Sequence, residues 1–545
     1  LPSTTWCQRL CWVQATLIPR LTSRTKVFPS ETCAPRQALM RLLRCAPLKL
    51  LKAKDKTMTT QAQLPKIRSE ADFTPEEKKQ ARKSVAGSAI GNAIEWFDYG
   101  IYGYLIVYIS QLFFTFGEDA GAMPRILAFS TFAISFIVRP LGGMVLGPLG
   151  DRIGRRTILI FTIVMISVST AGIALLPTFE QAGYLAPALL VLLRMVQGFS
   201  AGGEYAGAAV FMSEHAPDNK RGKYGSFLEF GTLAGFSAAA ILCTMLTLVV
   251  GEEGMMAGWW RLPFALTLVL GGIALWMRRH LEESETFTDD SSKGNTVSSA
   301  PQALRALLLQ YPWQLLKLFG FIVLVNVAFY LVLTYMPSYL TATLGHDATQ
   351  SNLTLVLIQL VMITLIVPLG ALSDRIGRKP LLVTASAGFV LLSVPAVYLM
   401  QVGGLWGQLA GIGTLGLLLV VLLSTISSAL PALFPTSVRY SGFAIGYNLS
   451  TAVFGGTAAV ANEAIIGATG NDLVPGWYLM GAGIIGLVSV LTFRETAGRS
   501  LRGNVIPGSD DMLRLERGEK LVGASKRRTR PTPSKEATQS KEMTS

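Results

Sequence analysis

Histidine and cysteine are both scarce in this 545-residue chain, with three of the first and five of the second. No C-x-x-C pair and no histidine cluster occurs. That argues against a zinc site and against a disulfide framework. The histidines, His215, His280 and His346, complete no Ser/His/Asp set, so a membrane enzyme lacks support and the chain is expected not to be an enzyme. No Gly-Lys-Ser/Thr phosphate loop is present, which argues against an ATP-driven pump. Charge is also short: 15% of residues are charged, half are hydrophobic, and mean hydropathy is +0.44. Soluble globular proteins carry roughly a quarter charged residues.

The net charge of +14 would suggest nucleic acid or an anionic surface as partner. It is an end effect. Residues 1–57 hold 11 Lys/Arg against two acids, and residues 496–545 hold 11 against six. Residues 58–495 balance at 26 basic and 26 acidic, so no nucleic-acid partner is expected. The first 57 residues also carry four of the five cysteines and begin at Leu1, with Met40 and Met58 as the first plausible starts. They read as an over-extended reading frame, with an Arg-rich targeting peptide as the alternative.

Between about residues 86 and 493, apolar stretches of roughly 20 residues, each long enough to span a bilayer, alternate with short polar turns. Twelve are expected, near 87–114, 125–147, 157–176, 183–211, 223–249, 260–278, 313–340, 350–372, 380–400, 404–430, 441–465 and 474–493. Continuous apolar runs exclude a β-barrel, whose strands alternate. Arg152, Arg155, Arg156, Lys220, Arg221, Lys223, Arg375, Arg378 and Lys379 fall in connections on one side. The opposite connections hold mainly acids, among them Glu180, Glu252, Asp347 and Glu463, with Arg125 the one clear base. By the positive-inside rule the basic loops and both termini are cytoplasmic, in an inner membrane. The expected organisation is a basic extension over 1–57, a cytoplasmic segment over 58–86, and six-helix halves over 87–278 and 313–495. A central loop over 279–312 joins the halves, and a disordered basic tail follows over 496–545.

An internal repeat ties the halves together. Residues 147–156 read G-P-L-G-D-R-I-G-R-R and residues 370–379 read G-A-L-S-D-R-I-G-R-K, each after the second segment of its half. Pro217 and Arg221 recur as Pro435 and Arg439 at a similar offset. Repeated halves are an architecture of alternating-access carriers. The doubled G-x-x-x-D-R-x-G-R motif resembles the signature of the major facilitator superfamily. G-N-A-I-E-W-F-D-Y-G-I-Y-G-Y from residue 91, V-R-P-L-G-G from 138 and R-M-V-Q-G-F-S-A-G-G-E-Y-A-G-A from 194 resemble its metabolite:proton symporter branch. N-V-A-F-Y-L-V-L-T-Y-M-P-S-Y-L from 326 and L-P-A-L-F-P-T-S-V-R-Y-S from 430 are most similar to the proline/betaine transporters of that branch. The resemblance covers about residues 84–503. It implies an all-α fold of twelve transmembrane helices in two six-helix halves. It also implies a monomeric symporter needing no cofactor beyond a proton gradient, and a small-molecule substrate, proline or glycine betaine first. A carboxylate such as 2-oxoglutarate, citrate or shikimate is the alternative, and a transport-inactive membrane sensor is the alternative of another class. The proline/betaine transporters end in a heptad coiled coil; here the matching stretch is too short for three heptads.

The candidate residues follow from what a bilayer penalises. Asn92, Glu95, Asp98 and Tyr102 lie three and four apart on one helix face. A carboxylate at such depth costs at least ~2.5 kcal/mol, so an intramembrane acid is a functional candidate by default. Glu95 or Asp98 is therefore expected to carry the proton, or else to form a structural ion pair with Arg139 or Arg194. Arg139 either neutralises Glu95 or holds a substrate carboxylate in its planar fork. Arg194, Gln197 and Glu204 share a stripe of the fourth segment, and R-x-x-Q-G resembles a motif of proton coupling in this superfamily. Tyr99, Tyr102, Tyr330 and Tyr447, with Asn326, form candidate walls for a substrate bearing a quaternary ammonium group, which aromatic faces attract. Gly198, Gly202, Gly203 and Gly207 give G-x-x-x-G spacings suited to close helix contact. The gate elements are expected to be Gly147, Asp151, Arg152, Gly154, Arg155 and Arg156, with Gly370, Asp374, Arg375, Gly377, Arg378 and Lys379 in the second half.

Overall fold

The computed structural model describes residues 67–115, 122–153, 155–280, 307–502 and 505–517, without the side chains of 147–159, 203–204, 277–280, 437 and 516. The basic extension and most of the central loop lie outside the described residues. Every expected segment forms a helix, and no strand occurs among the described residues. In chain order these are α1 (Pro75–Phe113), α2 (Met123–Ile153), α3 (Arg155–Ile173), α4a (Leu185–Ser200) with α4b (Glu204–His215), α5 (Arg221–Gly254) and α6 (Arg261–His280). The second half has α7 (Pro312–Tyr330), α8 (Ala348–Ile376), α9 (Arg378–Val402), α10 (Gly404–Ala429), α11a (Arg439–Phe454) with α11b (Thr457–Thr469), and α12 (Val474–Leu491).

The packing repeats with the chain. In the first half α1 packs on α5, α2 on α4a and α3 on α6. In the second half α7 packs on α11a, α8 on α10 and α9 on α12, the same pairs advanced by six. The halves meet along α2 against α11 and α5 against α8, again related by the repeat. The outer surface is apolar. Ile137, Leu141, Met144 and Val145 are exposed along one stripe of α2, while Phe132, Phe136 and Arg139 on the other faces are buried. That is the pattern of a bundle whose solvent is hydrocarbon and whose polar groups face inward.

Three boundaries differ from expectation. The first helix begins at Pro75, twelve residues before the apolar run. Thr74 caps it, accepting from the Glu77 N–H while the Glu77 carboxylate accepts from the Thr74 N–H, and proline occupies the first turn. The apolar run marks membrane depth; the cap marks the helix. The fourth helix is broken by a 3₁₀ turn at Ala201–Gly203. The seventh segment, expected as one run over 313–340, passes through π segments at Leu331–Tyr335 and Tyr339–Thr343 on either side of Pro337. Such wider turns absorb the hydrogen bond that proline cannot donate.

The tail corrects a further expectation. Residues 496–502 and 505–517 are ordered, and Asp510–Glu516 forms a short helix, α13, held by an Arg494–Asp510 ion pair. Three buried arginines bind the backbone of this strap. Arg378 donates to the Thr496 carbonyl, Arg221 to that of Arg499 and Arg439 to that of Leu501. Arg221 belongs to the first half, so the strap bridges both. Tail sequence reads as disordered because its charges are countable, while carbonyl acceptors carry no sequence signal.

Candidate functional site

Two faces close the bundle. On the face of the D-R-x-G-R loops, the Asp374 carboxylate accepts from the backbone N–H groups of Gly222 and Lys223, at 2.7 and 2.9 Å. It thereby caps α5 of the other half, where four N–H groups lack helical partners. Arg378 lies 3.3 Å from Asp374 and Arg439 pairs with Glu214 at 2.6 Å, again across the halves. The approach is close: a Cβ on Gly222 would meet Ser373 Oγ at 2.2 Å and the Gly370 carbonyl at 2.4 Å. Gly377 has a φ of +100°, and a Cβ there would meet Glu495. Burial raises the Glu495 pKa, but bonds from the N–H groups of Arg378, Ala497, Lys379 and Thr496 outweigh it and hold it below the ordinary glutamate value. This anchor weakens only as pH falls through that lowered value. The first-half counterparts Asp151, Arg152, Arg155 and Arg156 lie at the end of α2 and the start of α3, with side chains outside the described set, as is that of Glu204.

On the opposite face, Arg125 of α2 contacts Glu463 of α11b at 2.5 Å, and Tyr335 donates to the same carboxylate at 3.0 Å. Glu463 was read as a loop acid; it is 2% exposed inside a helix. Between the faces, Gln359 of α8 donates to the Tyr104 hydroxyl and accepts from Ser237, joining α8 to α1 and α5.

The centre holds the acids and arginines of the first half. Glu95 lies 3.4 Å from Arg139, both buried. The Arg139 guanidinium also lies 5.0 Å from the ring centres of Tyr99 and Phe136, and its Nε has no hydrogen-bond partner. Asp98 behaves differently. Its Oδ2 accepts from Thr170 of α3 at 3.1 Å, and its Oδ1 has no hydrogen-bond partner. Gln197 donates to Thr170 and accepts from Arg194 at 2.8 Å. A continuous chain of polar contacts thus runs from Arg194 through Gln197 and Thr170 to Asp98. Arg194 stacks 3.5 Å over the Tyr102 ring, leaving its Nε and Nη2 without partners. Asp98, Tyr99, Arg194 and Gln197 line one small cavity. The close approach that seats Arg194 depends on glycine, since a Cβ on Gly198 would overlap the Ser135 carbonyl.

A second cavity lies between the halves, lined by Trp96, Tyr205, Glu229, Asn326, Tyr330 and Tyr447 among others. Asn326 and Thr451 bond one another at 3.2 Å, and the Tyr330 hydroxyl has no partner. Of the candidates with described side chains, Asn92, Glu95, Tyr102 and Arg139 are not among the residues lining either cavity. Asn92 donates to the Leu228 carbonyl and to Thr232 and accepts from Trp96, which fixes α1 on α5. Tyr102 donates to the Ala128 carbonyl beneath Arg194. Sequence reading passed over Thr170, Trp96, Tyr205 and Glu229. Glu229 had a signal, being the one acid in the apolar stretch 223–249. Among the described residues no group of three His, Cys, Asp or Glu is placed to hold a metal ion.

The repeated packing and the paired D-R-x-G-R loops are matched by a family profile, that of the Major Facilitator Superfamily, over residues 88–461. The chain belongs to the major facilitator superfamily. It is 39% identical over 450 residues to a glycine betaine/proline/ectoine/pipecolic acid transporter of Dickeya dadantii, a match covering 81% of this chain and 88% of that protein. It is 37% identical over 445 residues to a proline/betaine transporter of Escherichia coli K12, with the same coverage. A solved proton:xylose symporter of the same superfamily aligns with a TM-score of 0.61 at 18% identity, over 78% of this chain and 98% of that one. That likeness is one of fold. This major facilitator protein is a multi-pass membrane transporter.

Proposed function

We propose that the protein is a proton symporter that imports a small zwitterion of the proline and glycine betaine class across the inner membrane by alternating access. The observation that carries this reading is the contrast between the two acids of α1. Asp98 accepts a bond from a neutral hydroxyl and has no ion-pair partner among the described residues, whereas Glu95 sits against Arg139. A buried carboxylate without a paired cation is stabilised by protonation, so Asp98 takes the proton. Arg139, with Nε unused, takes the substrate carboxylate in exchange for its weak contact with Glu95. Arg194 and Gln197 reach Asp98 through Thr170. Glu204, Tyr99, Asn326, Tyr330 and Tyr447 remain assigned to the same centre. The basic-loop face and both termini are cytoplasmic, and the contacts of Asp374 and Arg439 break when that face opens. The gradient supplies the energy, and the chain works as a monomer.

The relatives' names support the zwitterion over a dicarboxylate. A competition panel on reconstituted protein tests it. Labelled betaine uptake is expected to fall when unlabelled proline or betaine is added and to persist against excess 2-oxoglutarate or citrate. Displacement by the dicarboxylates alone would transfer the substrate to the carboxylate class.

A further inference from the structure

The cavity between the halves contains an acid to which the reading above gives no role. Glu229 of α5 is 2% exposed. Its Oε1 accepts from the Tyr205 hydroxyl of α4b and, at 3.2 Å, from Ser427 of α10. The carboxylate is thus held by hydroxyls from both halves and pairs with no cation among the described residues. Around it stand aromatic rings. Tyr205 and Tyr447 are stacked at 4.5 Å, and Trp96, Phe329 and Tyr330 line the same cavity, with aliphatic side chains of Val325, Leu423 and Ile426 beside them. The Tyr330 hydroxyl is buried in the same cavity without a hydrogen-bond partner. The Arg139 guanidinium lies 6.0 Å from the ring centre of Trp96, a lining residue of this cavity, so an anionic and a cationic group both border its aromatic lining.

We infer that Glu229 is the residue that selects the positive end of the substrate, inside a box formed by Tyr205, Tyr447, Trp96 and Tyr330. A buried carboxylate hydrogen-bonded only to neutral hydroxyls is satisfied either by a proton, as at Asp98, or by a countercharge, and what surrounds it decides between the two. Ring faces that attract cations surround it. The ligand chemistry that satisfies both is a quaternary or secondary ammonium carried on a short molecule whose carboxylate reaches Arg139. Glu229 then separates zwitterions from plain carboxylates, while Asp98, in its own cavity, handles the proton. The inference rests on the zwitterion-carrier reading and adds a specificity residue to it.

The test is counterflow exchange of labelled glycine betaine in proteoliposomes with no proton gradient, so that loss of coupling does not affect the readout. Two competitors are compared: unlabelled glycine betaine and tert-butylacetate, in which carbon replaces the ammonium nitrogen. In the unaltered protein betaine is expected to compete at a concentration at least ~10-fold lower, the ratio expected for ~1.4 kcal/mol of charge recognition. In Glu229→Gln the ratio is expected to fall toward one, through weaker betaine competition and not through stronger tert-butylacetate competition alone. Should that variant fail to fold, Glu229→Asp serves, with the ratio falling part of the way. An unchanged ratio, or an equal change for both competitors, overturns the role of Glu229. Failure of the unaltered protein to exchange betaine or proline at all would instead overturn the zwitterion-carrier reading beneath it.

Discussion

Replacing Asp98 with Asn is expected to abolish accumulation of substrate against its gradient while leaving exchange across the membrane. Asparagine fits the same space and still accepts from Thr170, so the Arg194–Gln197–Thr170 chain survives. What is lost is the group that gains and releases a proton. A one-unit pH gradient is worth ~1.4 kcal/mol per proton and supports about tenfold accumulation; the variant is expected to level at a ratio of about one. Glu95→Gln is a different lesion. It leaves Arg139 without its carboxylate, and breaking a buried pair costs about 3–5 kcal/mol. Its expected effect is on stability and substrate affinity together. Measuring accumulation and exchange side by side for both variants separates the roles. Full accumulation by Asp98→Asn would remove Asp98 from coupling.

The second large effect is steric. Gly222→Val is expected to hold the basic-loop face open. A Cβ at this site would stand 2.2 Å from Ser373 Oγ and 2.4 Å from the Gly370 carbonyl, a backbone atom of the opposite half that cannot swing aside. Overpacking of this kind costs about 1–3 kcal/mol. Here it falls only on the closed state of this face, because the two halves separate when it opens. Each ~1.4 kcal/mol shifts the balance about tenfold. Transport is expected to fall roughly five- to a hundredfold, and a cysteine placed at Ser226 should label with a thiol reagent from that face in the variant but not in the parent. Ser226 is buried against Gly370 in the closed arrangement. Normal transport with no gain in labelling would show that this contact does not govern the gate.

The sequence made the membrane helices and their two homologous halves legible, because a bilayer imposes a simple code: a long apolar run spans, and a motif repeated in register marks homologous halves. It also exposed Glu95, Asp98, Arg139 and Arg194, since a charge inside an apolar run is costly wherever it points. Partners were not legible. Thr170 is one of many hydroxyls in apolar helices, and only the rotation of α3 against α1 brings it to Asp98. Arg125 and Glu463 meet across 338 positions, and each alone reads as a loop charge. Asn92 shares a face with Glu95, yet its amide is engaged by α5. Spacing on one helix fixes which side chains share a face, not which neighbour that face meets. Glu229 was legible by the same rule as Asp98, as the one acid in the apolar stretch 223–249.

Coupling between zwitterion and proton is tested most directly by proton movement itself. Proteoliposomes loaded with a pH-sensitive dye, at equal pH inside and out, are given an inward betaine or proline gradient. The lumen is expected to acidify on substrate addition, at a rate that tracks substrate entry, and Asp98→Asn is expected to admit substrate without acidification. Substrate entry with no lumenal acidification in the unaltered protein would contradict proton symport.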